Sequence, residues 1–192
     1  MTRLIAAVAG CCFGLPLLVL LTLAGAPDAG ALPGAPDAAA LTDAGATAVP
    51  GATGSEASQL RAVPAALRPA FLAAARRYAL PPALLAAVGK VESGFDPAAV
   101  GPPVLGGPAE GMMQFLPSSW LLFNVVPGAT PFDPGPAVLA AANHLRHSGA
   151  LSGSGWDVSQ ALFGYNHSTV YVAQVLAVAA DYGYRPTEGS RS

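Results

Sequence analysis

Apolar residues recur at helical spacing along most of the chain. From residue 60 onward they return every three or four positions in successive stretches, which is the pattern of amphipathic helices. No stretch alternates between apolar and polar residues in the manner of a strand. The sequence therefore predicts an all-α domain with long loops. The predicted helices span residues 63–78, 81–93, 117–124, 133–147, 158–163 and 169–182.

The N-terminal region follows a different pattern. Leu4 to Ala26 carry no charge, and an apolar run of this length can span a bilayer as a helix. The same residues, 1–26, can be a cleaved signal peptide that ends at a small-residue site. Both interpretations send the remainder of the chain across a membrane. A lipoprotein signal ending at Cys11 fits less well, because the apolar run before it is short.

The stretch that follows has the composition of a linker. Residues 27–58 consist mainly of Ala, Pro, Gly, Asp and Thr. A segment with so few large apolar residues cannot bury enough surface to fold, so we expect it to be disordered. The folded domain is then predicted to span residues 59–184, and residues 185–192 to form a flexible tail.

Charge and cysteine content exclude several functions. The formal net charge is -2 and basic residues form no cluster, so nucleic-acid binding has no electrostatic support. Cys11 and Cys12 both precede the predicted domain, which therefore has no disulfide and no thiolate metal site. His144 and His147 lie near a predicted helix C-terminus, where histidine is electrostatically favourable. We expect neither a metal nor a cofactor.

Polar residues interrupt the apolar helical pattern in three places. The first interruption is Glu92, which ends an apolar helix and lies at the rim of its buried face. Partial burial disfavours the charged form of a carboxyl group and raises its pKa, as a general acid requires near neutral pH. A lone glutamate at a helix end is more often an ordinary surface residue. The other two interruptions are residues 111–115 and 165–168.

Together these three segments resemble the SLT-type lytic transglycosylases, which have a lysozyme-like fold. The family pattern is Glu-Ser at a helix end, then Gly-x-Met-Gln before a helix start, then Tyr-Asn before the last helix. The longer forms "GMMQFLPSSW" and "ALFGYNHSTVYVAQVLAVAADYG" are most similar to actinobacterial murein transglycosylases. The resemblance covers about residues 62–183 and implies a lysozyme-like helical domain.

The resemblance also implies roles for individual positions. Glu92 matches the catalytic acid of the family. Two segments, His167-Ser168 and the Gly- and Pro-rich loop 96–110, match the family less well, so their roles stay open. Contacts with the sugar are implied at five further positions: Ser93, Met113, Gln114, Tyr165 and Asn166.

The number of well-placed carboxyl groups bears on the mechanism. Most glycosidases use two carboxyl groups, whereas this sequence offers only Glu92. Asp133 and Asp157 have the positions of N-cap or first-turn residues, which need no catalytic explanation, and Asp96 and Glu110 fall in a loop. A single acid suffices when the substrate supplies its own nucleophile, here the 6-hydroxyl of the sugar.

The resemblance thus implies a peptidoglycan lytic transglycosylase. It would cleave the β-1,4 bond between MurNAc and GlcNAc without water and leave 1,6-anhydroMurNAc ends. Its partners would be peptidoglycan glycan strands, and the membrane if the N-terminal helix is uncleaved. The expected location is the extracytoplasmic cell envelope, membrane-anchored or secreted. Two alternatives stay open, a hydrolytic muramidase of the same fold and a non-catalytic glycan-binding envelope module.

Overall fold

A computed structural model of the chain describes residues 55–150 and 153–187. The predicted N-terminal helix, the linker up to residue 54 and the last five residues lie outside this part. The all-α prediction is confirmed, because the described residues form helices and only three isolated β-bridges. The seven helices described are α1 (Glu56–Gln59), α2 (Arg68–Tyr78), α3 (Pro82–Ser93), α4 (Pro117–Phe123), α5 (Pro134–His147), α6 (Gly155–Asn166) and α7 (Thr169–Asp181).

Helix α3 lies at the centre of the domain and packs against α1, α2, α5 and α7. Its first eight residues, Pro82 to Gly89, are all buried, as expected for a helix that is apolar on every side. The fully buried side chain of Gln59 supports its start, since Gln59 Oε1 accepts a hydrogen bond from the Ala83 amide at 3.1 Å. This contact satisfies a backbone donor that the first helical turn leaves unpaired.

Two boundaries of the N-terminal half differ from the sequence-based prediction. Helix α2 begins at Arg68, with Pro69 in its first turn, so the proline marks the start of the helix and does not kink it. Helix α1 begins at Glu56, inside the stretch predicted to be linker. Arg76 of α2 binds Glu56 in an ion pair at 2.7 Å, which connects α1 to the domain.

Two further differences concern the C-terminal half. Helix α6 begins at Gly155, earlier than predicted, because the Ser154 hydroxyl caps it by accepting from the Asp157 amide. It continues through Asn166, so the predicted polar break is the last turn of a helix and its cap. Residues 185–187, predicted to belong to the flexible tail, include Thr187, which pairs with the backbone at Gly155 at 2.8 Å.

The membrane prediction for the N-terminal region falls outside the described residues. Within residues 55–150 and 153–187, no helix combines the length and apolar character needed to cross a bilayer.

Candidate active site

Glu92 lies in the last turn of α3, where the buried core helix reaches the protein surface. The helix ends immediately after it, because Gly94 adopts a left-handed conformation with φ of 68°. The Glu92 side chain is half-buried, whereas Lys90 on the same turn is exposed. The sequence pattern therefore places one acidic group at the boundary between the core and solvent.

Burial dominates the electrostatics of this carboxyl group. Desolvation raises the pKa of Glu92 from 4.5 to about 7, and a contact with Tyr171 partly opposes that rise. Neither influence comes from another carboxylate or from a basic side chain. Glu92 is therefore substantially protonated near neutral pH and can both deliver and recover a proton there.

Tyr171, in the first turn of α7, is the polar side chain that faces Glu92. Its hydroxyl stabilises the charged carboxylate, which is why it lowers the Glu92 pKa. The same hydroxyl is buried, and no group of the described residues lies in the position of a well-formed hydrogen-bond partner for it. The two groups are therefore close but loosely aligned, as catalytic contacts often are before substrate binds.

The segment Gly111–Phe115 forms the wall beside Glu92. Gly111 has φ of 71°, and a Cβ atom there would lie 1.8 Å from the backbone oxygen of Pro131, so only glycine fits. Glu110 and Phe115 exchange two backbone hydrogen bonds, of 2.9 and 3.0 Å. These constraints give the segment one tight, defined conformation.

Ser93 connects this wall to α3. Its hydroxyl donates to the Met112 carbonyl at 2.8 Å and accepts from the Asp96 amide at 3.0 Å. Both hydrogen-bonding directions of the Ser93 hydroxyl are therefore used within the protein. Ser93 lies beside Glu92, and its hydrogen bonds connect the end of α3 to the segment Gly111–Phe115.

The structure differs from the prediction at Met113. Its side chain is fully buried and packs near Gly89 of α3, where a Cβ atom would lie 3.2 Å from the methionine sulfur. A fully buried side chain does not reach a bound sugar, so a direct substrate contact at Met113 is not supported. The sequence missed this because an apolar residue in a loop can face either the core or a cleft.

Gln114 remains at the surface of the wall. It adopts φ of 49°, a left-handed conformation that is uncommon outside glycine. Its amide nitrogen donates to the Gly111 carbonyl at 2.9 Å and to the Ala99 carbonyl at 3.3 Å. These bonds attach the loop 96–110 to the wall and leave the amide oxygen of this half-buried side chain toward Gly101.

Tyr165 and Asn166 end α6 on the opposite side of the same wall. The Tyr165 hydroxyl donates to the Met113 carbonyl at 2.9 Å. Burial and then the negative charge of Glu92 raise the pKa of Tyr165 well above its usual range, so it stays a hydrogen-bond donor. Asn166 is half-buried, and its side-chain amide makes no hydrogen bond to the described residues. The structure thus brings the three polar segments of the sequence together around Glu92.

A row of rings extends from this site into the domain. Four rings succeed one another with centroid distances of 3.9, 4.8 and 6.4 Å, and their planes are within 24° of parallel. Phe115 meets the edge of Tyr165 at 6.0 Å. The four stacked rings, in order, are Phe123, His144, Tyr165 and Tyr171.

Three other acidic residues of the domain lie where their surroundings give them structural roles. Asp96 Oδ1 accepts from the Ala98 amide at 2.9 Å. Asp133 occupies the N-cap position of α5, as expected, but its carboxylate accepts from Thr130 at 2.8 and 2.9 Å and not from the helix. Asp157 lies in the first turn of α6. These positions agree with the structural roles that the sequence suggests for Asp133 and Asp157.

Two residues of the site, Tyr171 and His144, are absent from the candidates that the sequence pattern indicates. Tyr171 shares a helical spacing of four with Val175 and Ala179, and all three are buried. That spacing could have identified Tyr171 as an inward-facing polar residue. The sequence pattern indicates His144 only as a favourable helix C-terminal residue, and nothing in the sequence indicates its stacking partners.

The described residues contain no group of three or more His, Cys, Asp or Glu side chains arranged to hold a metal ion. The polar groups that the structure brings together at this site are Glu92, the hydroxyls of Tyr165 and Tyr171, and the neighbouring amides.

Comparison with known proteins identifies the family. The chain matches the transglycosylase SLT domain over residues 69–185, which is more than half of its length and includes the whole site. No curated protein and no solved structure matches the chain. The chain therefore belongs to the transglycosylase SLT domain family, and its function is of the lytic transglycosylase type that acts on peptidoglycan.

Proposed function

We propose that this protein cleaves the β-1,4 bond between MurNAc and GlcNAc in peptidoglycan without water, with Glu92 as its only acid and base. The observation that carries the proposal is the half-buried position of Glu92 at the end of α3, with no carboxylate or basic side chain among the causes of its pKa shift. Its pKa, raised by burial to about 7, suits both proton donation and proton recovery at neutral pH. A two-carboxyl glycosidase would instead need a second acidic group on the opposite side of the sugar.

The proposed reaction has two proton transfers, and Glu92 makes both. Protonated Glu92 donates its proton to the glycosidic oxygen, the bond from that oxygen to the MurNAc anomeric carbon breaks, and GlcNAc leaves with a 4-hydroxyl. The Glu92 carboxylate then removes the proton of the MurNAc 6-hydroxyl, whose oxygen attacks the anomeric carbon. The product is a 1,6-anhydro ring, Glu92 is protonated again, and no water is consumed.

Tyr171 supports the charged state between these two steps. Its hydroxyl already lowers the Glu92 pKa in the absence of a sugar, so it stabilises the carboxylate once the proton has left. An oriented donor in a poorly hydrated site stabilises charge more than water does. We expect the hydroxyl to approach the carboxylate more closely when that charge forms.

Amide groups at the rim of the site are suited to orient the sugar. The Asn166 amide has no partner among the described residues and is half-buried next to Tyr165. Its N–H donors and carbonyl acceptor are complementary to the carbonyl and the N–H of the N-acetyl group. The Gln114 amide nitrogen is engaged with the Ala99 and Gly111 carbonyls, so the group that it has left for a sugar is its amide oxygen, beside Gly101. Ser93 acts indirectly, by holding the wall against α3.

The location follows from the substrate, because proteins of this family act on peptidoglycan in the cell envelope. An uncharged run from Leu4 to Ala26 is suited to export and to anchoring in the membrane. In this proposal the chain is extracytoplasmic, attached through that run or secreted after its cleavage, and related most closely to actinobacterial members.

Product analysis tests the proposal against both alternatives. The full chain, purified in detergent, is incubated with peptidoglycan sacculi in water enriched in ¹⁸O, and released muropeptides are identified by mass spectrometry. We expect 1,6-anhydro ends that contain no ¹⁸O. Reducing ends labelled with ¹⁸O would establish a hydrolytic muramidase instead, and binding to sacculi without release would establish a glycan-binding module.

A further inference from the structure

His144 is a buried histidine that the proposed mechanism does not use. It lies on α5 with 9% of its surface exposed. Its ring is sandwiched between Phe123 of α4, at 3.9 Å and 12°, and Tyr165 of α6, at 4.8 Å and 24°. Stacked aromatic rings attract one another beyond the simple burial of their surface.

The surroundings of His144 keep its ring neutral. Burial is the main cause, and the nearby His147 and His167 add to it, so the pKa of His144 falls from 6.5 to about 4. A neutral, flat ring stacks on a tyrosine without bringing a charge close to Glu92. His144 therefore acts near neutral pH as a packing surface and not as a titrating group.

Tyr165 is the residue through which this packing reaches the reaction centre. Its ring stacks on His144 and also lies parallel to the ring of Tyr171, at 6.4 Å and 5°. Both tyrosines are close to Glu92, whose charge contributes to the raised pKa of each after burial. A shift of the Tyr165 ring would therefore change what covers the carboxyl group.

We propose that His144 is a positioning residue, whose ring, stacked between Phe123 and Tyr165, holds the two tyrosines against Glu92 and keeps water from the carboxyl group. The inference rests on the proposed function of Glu92. It predicts that removing the ring changes the titration of a residue on another helix, and it predicts that any flat neutral ring of similar size can replace it.

Two readouts on the full chain test this inference. The first is the titration midpoint of Glu92, followed by NMR on protein carrying ¹³C-labelled glutamate carboxyls. The chain has few glutamates to assign, namely Glu56, Glu92, Glu110 and Glu188. The second readout is kcat and KM for cleavage of soluble glycan strands. The variants are His144→Ala, His144→Leu, which fills the space without a flat ring, and His144→Phe, which restores the ring.

The matched control is His147→Ala. His147 lies on the same helix turn but is exposed and only tilted against Phe123, at 6.0 Å and 60°. Circular dichroism of each variant establishes that it is folded, and if His144→Ala unfolds, His144→Leu is the variant that decides.

The expected pattern separates positioning from general stability. Admission of water should lower the Glu92 midpoint in His144→Ala and His144→Leu by about one pH unit toward its value in solution. Because small misplacements cost up to about 100-fold in rate, kcat should fall by about 10- to 100-fold with little change in KM. His144→Phe and His147→Ala should resemble the unaltered protein in both readouts.

The inference and the proposed function can fail separately. Folded His144→Leu with an unchanged Glu92 midpoint and unchanged kcat would overturn the inference, as would a His144→Phe variant as impaired as His144→Leu. If the unaltered protein cleaves no glycan, the proposed function fails, and the Glu92 midpoint still decides whether His144 positions the tyrosines.

Discussion

Replacement of Glu92 by glutamine should stabilise the fold in a pH-dependent way. The rise of the Glu92 pKa from 4.5 to about 7 means that the folded state holds the proton more tightly than the unfolded state. A group of this kind contributes its full stability below the unfolded pKa and loses it as pH rises through the folded pKa. At about 1.4 kcal/mol per pH unit, the loss for Glu92 reaches at most about 3.5 kcal/mol.

Glutamine does not titrate, so Glu92→Gln escapes this loss. The free energy of unfolding of the variant, minus that of the unaltered protein, should be constant below pH 4.5. It should then increase by up to about 3.5 kcal/mol as pH rises through 7. Both proteins share all other titrating groups, so these cancel in the difference.

Urea denaturation of the full chain, followed by circular dichroism from pH 4 to pH 8.5, measures this difference. Asp96→Asn is the control, since it removes a carboxylate that is exposed, whereas Glu92 is half-buried. A difference for Glu92→Gln that does not change with pH would refute the claim that burial raises the Glu92 pKa. A comparable pH dependence for Asp96→Asn would show that the effect is not specific to the site.

Three further predictions follow from the structure. Cleavage should slow by about tenfold per pH unit above pH 7 as Glu92 loses its proton; a pH–rate profile still rising there would contradict this. Gly111→Ala should abolish folding or lower the free energy of unfolding by more than about 4 kcal/mol in urea denaturation. Gly128→Ala, where no atom lies within 4 Å of the added Cβ, should lower it by about 1–2 kcal/mol. Equal losses would contradict the role assigned to the close approach of Pro131. A chain beginning at Ser55 should keep the melting temperature and the activity of the full chain. A chain beginning at Arg61, which lacks the Gln59 contact, should lose both. If the two shortened chains behave alike, the domain does not begin at α1.

Features set by local sequence were predictable. The central helix α3 combines a continuous apolar run, a proline start and a glycine end, so its boundaries and the rim position of Glu92 follow from neighbouring residues. The starts of α4 and α5 were similarly predicted from prolines that follow a loop. Gly111 was included in a family pattern, and the structure supplies the reason, which is the close approach of Pro131.

Features that depend on contacts between distant elements were not predictable. Taken alone, Met113 fits the core better than a cleft, and only the family resemblance implies a sugar contact there; the position of α3 beside it decides between the two. His144 acquires a role only because α4 and α6 bring Phe123 and Tyr165 to its two faces. The conformation of residues 185–187 likewise depends on hydrogen bonds from Thr187 to Gly153 and from Gly155 to Thr187, across more than thirty positions of sequence. Periodicity describes one element at a time and contains no information about these partners.

The most direct test of the central claim compares carboxyl replacements for cleavage of peptidoglycan sacculi. Glu92→Gln keeps the size of the side chain but cannot deliver a proton, so activity should fall by about 100- to 10,000-fold while the fold and sacculus binding survive. Asp96→Asn, Asp133→Asn and Asp157→Asn should each retain substantial activity. If one of these three is folded and as inactive as Glu92→Gln, a second carboxylate takes part and the single-acid account is wrong.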